Sequence, residues 1–434
     1  MYRINRGGIG MNILIMTSRF GMGHYYAAEA IKEQLQLQRP GDNIIICDFM
    51  NMLLGKKARL MYDAYSALIA RGCGIYNHIY KLCTEIENPQ SARKASCGSI
   101  FMKAIKKAVQ NTDADIIIST YSGCNKHIGR YIEKYACDTP FITCITDIGI
   151  HGKWVDKNVD LYLAAAEETK RDLINIGIPE NKIAVTGIPV RSGFCNPRAS
   201  LAYDTKICAE YKDKSSFGFY DYAQGSCDPH LYGAKAHSSI NPNACAGVYS
   251  VSEPCEDNGD KHLLVMGGGL GLLPKEKSFY DRLARINGLS TTVITGKNKA
   301  LLNRFTGKYD NINFMPFTDD IENYIKNSDW LLTKPGGITT FEAVNACTPL
   351  ILAKPALCQE AANSDFIGRN GLGVLLDTSF EEGIDTIERA VRDSKRQQAI
   401  KNNMRNMKRS FAPGALAHYI SSFENEKKVR RECV

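Results

Sequence analysis

A histidine beside two glycines stands near the start of the chain, in Gly21-Met-Gly-His24. The apolar run Asn12 to Ser18 before it reads as a buried strand, and the amphipathic pattern from about His24 to Leu37 reads as a helix. Gly21 and Gly23 supply the tight turn between them. His24 therefore lies past the carboxyl end of a parallel strand, where open α/β sheets bind ligands. An imidazole there can act as general base, taking a proton from an attacking hydroxyl near neutral pH. A structural histidine fits the same letters.

A second stretch of the same design runs from Leu331 to Lys354. Leu331 to Thr333 is a short strand, Pro335 stops it, and Gly336 and Gly337 let the backbone turn and approach a ligand closely. Thr339 or Thr340 is expected to cap the following helix, and Pro349 marks its end. The first amides of such a helix have no internal partners and carry the positive end of its dipole, so a phosphate group fits there. Glu342, about one turn in, is placed to accept hydrogen bonds from sugar hydroxyls. Taken alone, these letters also describe an ordinary strand–helix turn.

Further groups fall at strand ends. Asp147 and His151 follow the strand Phe141–Thr146 and face the same crevice as His24. Arg191 follows a short strand, Lys182–Gly187, and can pair bidentately with a diphosphate. The run Gly267-Gly268-Gly269-Leu-Gly271 after His262–Met266 can lay amides against a nucleotide, although such a run is weak evidence by itself. The loop holding Phe317 and Thr318 is placed to hold a base, and Gln359, Glu360 and Asn363 to recognise sugar hydroxyls.

These residues require a scaffold of alternating strands and helices. At 434 residues two domains are expected. Residues 1–195 and 262–411 each show the alternation of a Rossmann-like doubly wound α/β unit facing a shared cleft, with a helical tail at 412–434. Residues 196–261 are rich in Ser, Gly, Asp, Asn, Pro, Tyr and Cys without periodicity, and read as an irregular insert. No apolar run is long enough to span a membrane, and Met1 to Gly10 lacks a signal-type core. The 15 cysteines show no Cys-x-x-Cys pair or zinc-like spacing, so no metal site is expected and the thiols read as reduced and buried. The net charge of +8 suits a membrane surface, a nucleic acid or an anionic nucleotide equally. Between Phe49 and Leu82, Met, Tyr, Leu and Ile alternate with Lys56, Lys57, Arg59, Arg71 and Lys81 in a helical pattern broken near Gly72 and Gly74. With the helix Ile100–Val109 and its Lys103, Lys106 and Lys107, this segment reads as an interfacial surface.

Four segments together resemble a family: Gly21–Ala30, Thr146-Asp-Ile with His151 and Trp154, Val185–Arg191, and Lys334–Glu342 with Gln359, Glu360 and Asn363. The chain is similar to the two-domain (GT-B) glycosyltransferases that make glycosyldiacylglycerols, namely monogalactosyldiacylglycerol synthases and processive diacylglycerol β-glucosyltransferases. The peptidoglycan lipid-intermediate N-acetylglucosaminyltransferase is a related branch. The resemblance implies that His24 deprotonates the acceptor and that Arg191, Gly267–Gly269 and the turn Gly336–Thr340 hold the nucleotide diphosphate. It implies that Glu342 binds ribose, that Gln359 and Glu360 bind the donor sugar, and that residues 50–107 meet lipid. The substrates would be UDP-glucose or UDP-galactose and diacylglycerol, with inversion at the anomeric carbon. No cofactor, metal or nucleic acid would be needed, and the place would be the cytoplasmic face of an anionic membrane. A GT-B enzyme with a polyprenyl-linked acceptor, a UDP-sugar epimerase and a non-catalytic UDP-sugar sensor are the competing readings.

Overall fold

A computed structural model describes residues 10–71, 98–135, 138–194, 260–269 and 271–432. The insert expected at 196–261 lies outside these residues except for Asp260 and Lys261, the second of which opens a strand. The helix break near Gly72 and Gly74 also lies outside them.

The first lobe holds β1 (Asn12–Thr17), α1 (Gly23–Gln38), β2 (Asn43–Asp48), α2 (Phe49–Leu54), α3 (Ala58–Arg71), α4 (Gly98–Thr112), β3 (Ile116–Ser119), α5 (Ser122–Tyr135), β4 (Phe141–Cys144), β5 (Leu161–Ala164), α6 (Glu167–Asn175) and β6 (Ile183–Val185). The second holds β7 (Lys261–Met266), α7 (Lys277–Ala284), β8 (Leu289–Ile294), α8 (Lys299–Phe305), β9 (Ile312–Met315), α9 (Ile321–Lys326), β10 (Trp330–Thr333), α10 (Gly337–Ala346), β11 (Leu350–Leu352), α11 (Cys358–Arg369), β12 (Gly373–Leu375), α12 (Ile384–Arg392) and α13 (Ser394–Arg409). A last helix, α14 (Ala415–Glu432), follows.

Both sheets are parallel and six-stranded, in the orders β2-β1-β3-β4-β5-β6 and β12-β11-β10-β7-β8-β9. Parallel strands covered by helices on both faces must be apolar throughout. Ile116–Ile118 and Leu331–Leu332 are buried on that account. In each sheet the strand order reverses once, between β1 and β3 and between β7 and β10. At such a reversal neighbouring helices leave to opposite sides, and a crevice opens at the carboxyl ends of the strands. The glycine turns after β1, β7 and β10 all sit at these two reversals.

Two local expectations change. The helix after β10 is not capped by Thr339 or Thr340. It begins at Gly337 with extended Gly336 before it, and Thr340 donates its hydroxyl back to the Gly336 carbonyl at 2.8 Å. The turn closes early, where the Gly336 amide meets the Lys334 carbonyl at 2.8 Å. β4 ends at Cys144 rather than Thr146, as Thr146 and Asp147 turn into the crevice.

The end of the chain returns to the first lobe. The Ala412 amide bonds the Val185 carbonyl at 2.8 Å, and Leu416 and Ile420 of α14 are buried among Ile13, Ile15, Ile118, Ile142 and Leu163. Arg39 locks the helix by reaching Glu424 at 2.7 Å and Ser421 at 2.6 Å. Ile420→Ala is expected to lower the unfolding free energy by about 2–5 kcal/mol in a denaturant titration. An unchanged midpoint would mean that α14 is not docked on the first sheet.

Candidate active site between the lobes

The turn Ser18–Gly23 carries the chain from β1 into α1 through two residues with positive φ, Gly21 (66°) and Met22 (65°). His24 follows in the first turn of α1, half-buried. Its Nδ1 lies 2.6 Å from the hydroxyl oxygen of Thr146, in the chain leaving β4. The rings of Tyr121, after β3, and Trp154 stand 5.2 and 6.2 Å away. Burial pulls the imidazole's pKa below its ordinary 6.5, opposed by the Asp147 carboxylate and by the Thr120 backbone. The neutral form, which can accept a proton, is thereby favoured at neutral pH. Asp147 accepts from the Trp154 indole at 3.1 Å, and His151 Nε2 lies 3.9 Å from the same carboxylate. His24, Asp147 and His151 thus converge as the sequence suggests, with Gly21 and Gly23 at the turn.

The second lobe presents the start of α10 to this group. A Cβ on Gly337 would lie 2.8 Å from the Thr146 carbonyl oxygen and 3.2 Å from Ile188, and one on Gly23 would touch Ile338 at 3.5 Å. The amino end of α10, with its unpaired first amides, therefore abuts the shelf that carries His24. Asn363 of α11 fixes the turn by donating to the Pro335 carbonyl at 3.0 Å, while its Oδ1 is buried without a partner. Thr339 lies in the first turn of α10 and Gln359 in the first turn of α11.

Gly267, Gly268 and Gly269 end β7 beside this turn. Gly268 is left-handed (φ 69°), and a Cβ there would sit 3.3 Å from the Lys334 side chain. Lys334 extends to Glu360 at 2.8 Å, and Glu360 also receives the Ala356 and Leu357 amides at 3.3 Å each. Glu360 is thus engaged as a helix cap and as the partner of a lysine that the motif reading had not singled out. Phe317 is 48% exposed, with its amide on the Gly296 carbonyl at 3.3 Å, and Thr318 follows in the same loop. This loop joins the glycine turn through Gly296, whose own Cβ would press on Gly268 and Gly269.

Arg191 crosses from the first lobe to the second. It donates to the Asp319 carbonyl at 3.0 Å and lies 3.4 Å from Glu342 and 3.8 Å from Glu322. The residues assigned to diphosphate and ribose are therefore ion-paired with one another. Glu342 is buried, and burial pushes its pKa up to about 7, an effect that Arg191 reduces and Glu322 reinforces. Among the described residues, no group of three or more His, Cys, Asp or Glu side chains is placed to hold a metal ion.

A wall of rings joins this site to the helices of the apolar-basic segment. Phe20 packs edge-on against Tyr62 and Tyr65 of α3, at 5.0 and 5.1 Å. Tyr62 donates to Asp48 at 2.6 Å. Leu54, Leu60 and Ile100 are 44, 70 and 62% exposed, and Lys56, Lys57, Arg59, Lys103 and Lys107 of the same segment are exposed as well. Met50, Met52 and Leu53 pack inward instead. No described helix is long and apolar enough to cross a membrane.

Two facing Rossmann-like lobes, with an imidazole on one and glycine turns on the other, make up the GT-B architecture. Solved structures agree on the fold. MurG of Acinetobacter baumannii superposes with a TM-score of 0.54 at 13% identity, over 95% of this chain and 99% of that one. The UDP-GlcNAc 2-epimerase of Neisseria meningitidis, bound to UDP-GlcNAc, gives 0.51 at 13% identity, over 95% and 99%. The sequence comparisons go further. The model of the monogalactosyldiacylglycerol synthase family matches residues 24–190, from His24 to the residue before Arg191. Processive diacylglycerol beta-glucosyltransferases of Bacillus thuringiensis (strain Al Hakam) and Bacillus cereus (strain AH187) are each 25% identical over 423 residues, covering 96% of this chain and 94% of theirs. The family resemblance drawn from the four motifs is borne out: the chain is similar to diacylglycerol glycosyltransferases over nearly its whole length, and its fold is of the GT-B type.

The Glu342 environment has a measurable consequence. A carboxyl whose pKa is about 7 when folded and near 4.5 when unfolded keeps its proton in the folded chain alone between those values. Its contribution to stability is therefore greatest below pH 4.5 and declines as pH rises to about 7. The slope in unfolding free energy should be at most about 1.4 kcal/mol per pH unit. Thermal or denaturant unfolding of Glu342→Gln should lack this component; an identical pH profile in the variant would remove Glu342 as its source.

Proposed function

We propose that the protein transfers a hexose from a UDP-sugar to diacylglycerol, with inversion, at a membrane surface. The observation that carries this reading is the meeting of His24 and Thr146 with the amino end of α10 across one crevice. His24 takes the proton of the acceptor hydroxyl as that oxygen attacks the anomeric carbon. The bond from that carbon to the diphosphate breaks, and UDP leaves as an anion. Its charge is met by the first amides of α10, by the Gly267–Gly269 turn and by Arg191 released from Glu342. Glu342 receives ribose hydroxyls, the Phe317–Thr318 loop flanks the base, and Gln359, Glu360 and Asn363 orient the sugar. Asp147 and His151 lie on the acceptor side. No metal is assigned a step, so turnover in the presence of a chelator is expected to match turnover without it.

The exposed Leu54, Leu60 and Ile100 among lysines are the surface from which the acceptor enters, since apolar side chains ringed by cations suit an anionic interface. The epimerase reading shares the fold but gives this patch no use. Flotation with anionic vesicles, together with a radiolabelled UDP-sugar and diacylglycerol in those vesicles, separates the two. A labelled glycolipid is expected, with glucose and galactose donors tested in parallel; free label as an epimerised UDP-sugar and no flotation would favour the epimerase.

His24→Ala is expected to lower kcat by about 10²–10⁴-fold, the usual worth of a general base, while UDP still binds in calorimetry. The acid limb of the wild-type rate should lie below pH 6.5, following the lowered imidazole pKa. Wild-type turnover by His24→Ala would remove the imidazole from the reaction.

A further inference from the structure

We propose that Thr146 is a positioning residue for His24: its hydroxyl oxygen accepts the Nδ1 proton and so leaves the lone pair on Nε2. The inference rests on the reading of His24 as the base and adds which nitrogen performs the step and what sets it. A neutral imidazole carries one proton, and only its bare nitrogen can take another. The 2.6 Å contact between Nδ1 and Thr146 Oγ1 fits two arrangements. If Thr146 donated to Nδ1, the ring proton would sit on Nε2 and neither nitrogen would be available as a base.

The surroundings decide between the two. The Thr146 hydroxyl has a second neighbour, the Thr120 carbonyl oxygen at 3.5 Å, which can only accept. With the hydroxyl proton turned toward that carbonyl, Oγ1 keeps its lone pairs for Nδ1–H. The Thr120 backbone also acts on the imidazole directly, in the sense that favours a proton on the ring. An acceptor-only neighbour on this side is served when the ring brings a proton and wasted when it does not.

The shelf is also fixed in place. The Thr120 amide bonds the Met16 carbonyl at 3.0 Å, and the Thr120 hydroxyl lies 2.8 Å from Thr17 Oγ1 and 2.9 Å from the His24 carbonyl. Thr17, Thr120 and Thr146 are all buried. Three threonines, at the ends of β1 and β3 and just past β4, thus form a polar layer under one histidine. When the acceptor proton arrives on Nε2, the ring becomes a cation. The charged and titratable groups facing it are Asp147, which favours that charge, His151 behind Asp147, and the Tyr121 phenol. Thr146 then keeps accepting from Nδ1–H without changing its own protonation.

The test uses full-length protein with a UDP-sugar and diacylglycerol vesicles. Thr146→Val keeps the shape and removes the hydroxyl, whereas Thr146→Ser keeps the hydroxyl. A loss of about 10²-fold in kcat with the donor KM little changed is expected for Thr146→Val, a fraction of what a general base supplies. Thr146→Ser should stay within about threefold of wild type, because it restores the acceptor. Nitrogen-15 spectra of labelled histidine in the wild-type protein read the tautomer directly, with His24 among the eight histidines assigned by its loss in His24→Gln. A protonated Nδ1 and a bare Nε2 are expected. A protonated Nε2, wild-type kcat in Thr146→Val, or equal impairment of both variants would overturn the proposal. Should Thr146→Val fail to fold, the wild-type spectrum still decides. An Nε2–H tautomer alongside an inactive His24→Ala would sink the role of Thr146 alone, while a fully active His24→Ala would sink the base itself.

Discussion

The site depends on one close approach. The amino end of α10 lies so near the Thr146 backbone that a Cβ on Gly337 would stand 2.8 Å from its carbonyl oxygen. Only glycine fits that gap without moving one of the lobes. The same Thr146 holds His24 through its side chain. One residue of the first lobe is thus shared between the imidazole and the helix end that faces it. Uncompensated amide dipoles on one side and a neutral, partly desolvated imidazole on the other are what an anionic leaving group and a hydroxyl acceptor require.

The second constraint is electrostatic. Arg191 lies between two carboxylates of the other lobe, Glu342 and Glu322, and is also tied to the Asp319 carbonyl. Its Nε is buried without a partner. Glu342 has its pKa raised by its own burial, which Arg191 only partly offsets. A charge network of this kind, spanning the gap between lobes, responds to any anion that competes for the guanidinium. On the proposed reading, entry of a diphosphate would free Glu342 for hydrogen bonds to ribose.

Much of this was legible in the letters, for local reasons. The strands are short runs of Ile, Leu and Val; the turns after β1 and β7 are marked by glycines with positive φ, Gly21 and Gly268, and the turn after β10 by Gly337, where a Cβ would not fit. The placing of His24, Asp147 and His151 followed from the rule that crevices open at strand ends. The roles of Thr146, Lys334 and Glu322 were not readable. They depend on which strand ends become neighbours, β1 with β3 and β7 with β10, and on the distance between lobes. A threonine closing a parallel strand was the available signal for Thr146, and it is a weak one. The expected threonine cap of α10 failed because the turn closes on Gly336, leaving Thr340 one turn deep. Glu360 read as a sugar ligand; that it also caps α11 and pairs with Lys334 depends on a long-range contact no periodicity signals.

The central claim is that the nucleotide's negative charge is held by the start of α10, opposite His24. A titration of the isotope-labelled protein with UDP tests it most directly, followed through the backbone amide resonances. Saturable shifts of the Gly336, Gly337, Ile338 and Thr339 amides are expected, with a smaller response from the His24 ring. Shifts that leave α10 untouched and gather elsewhere on the surface would contradict it.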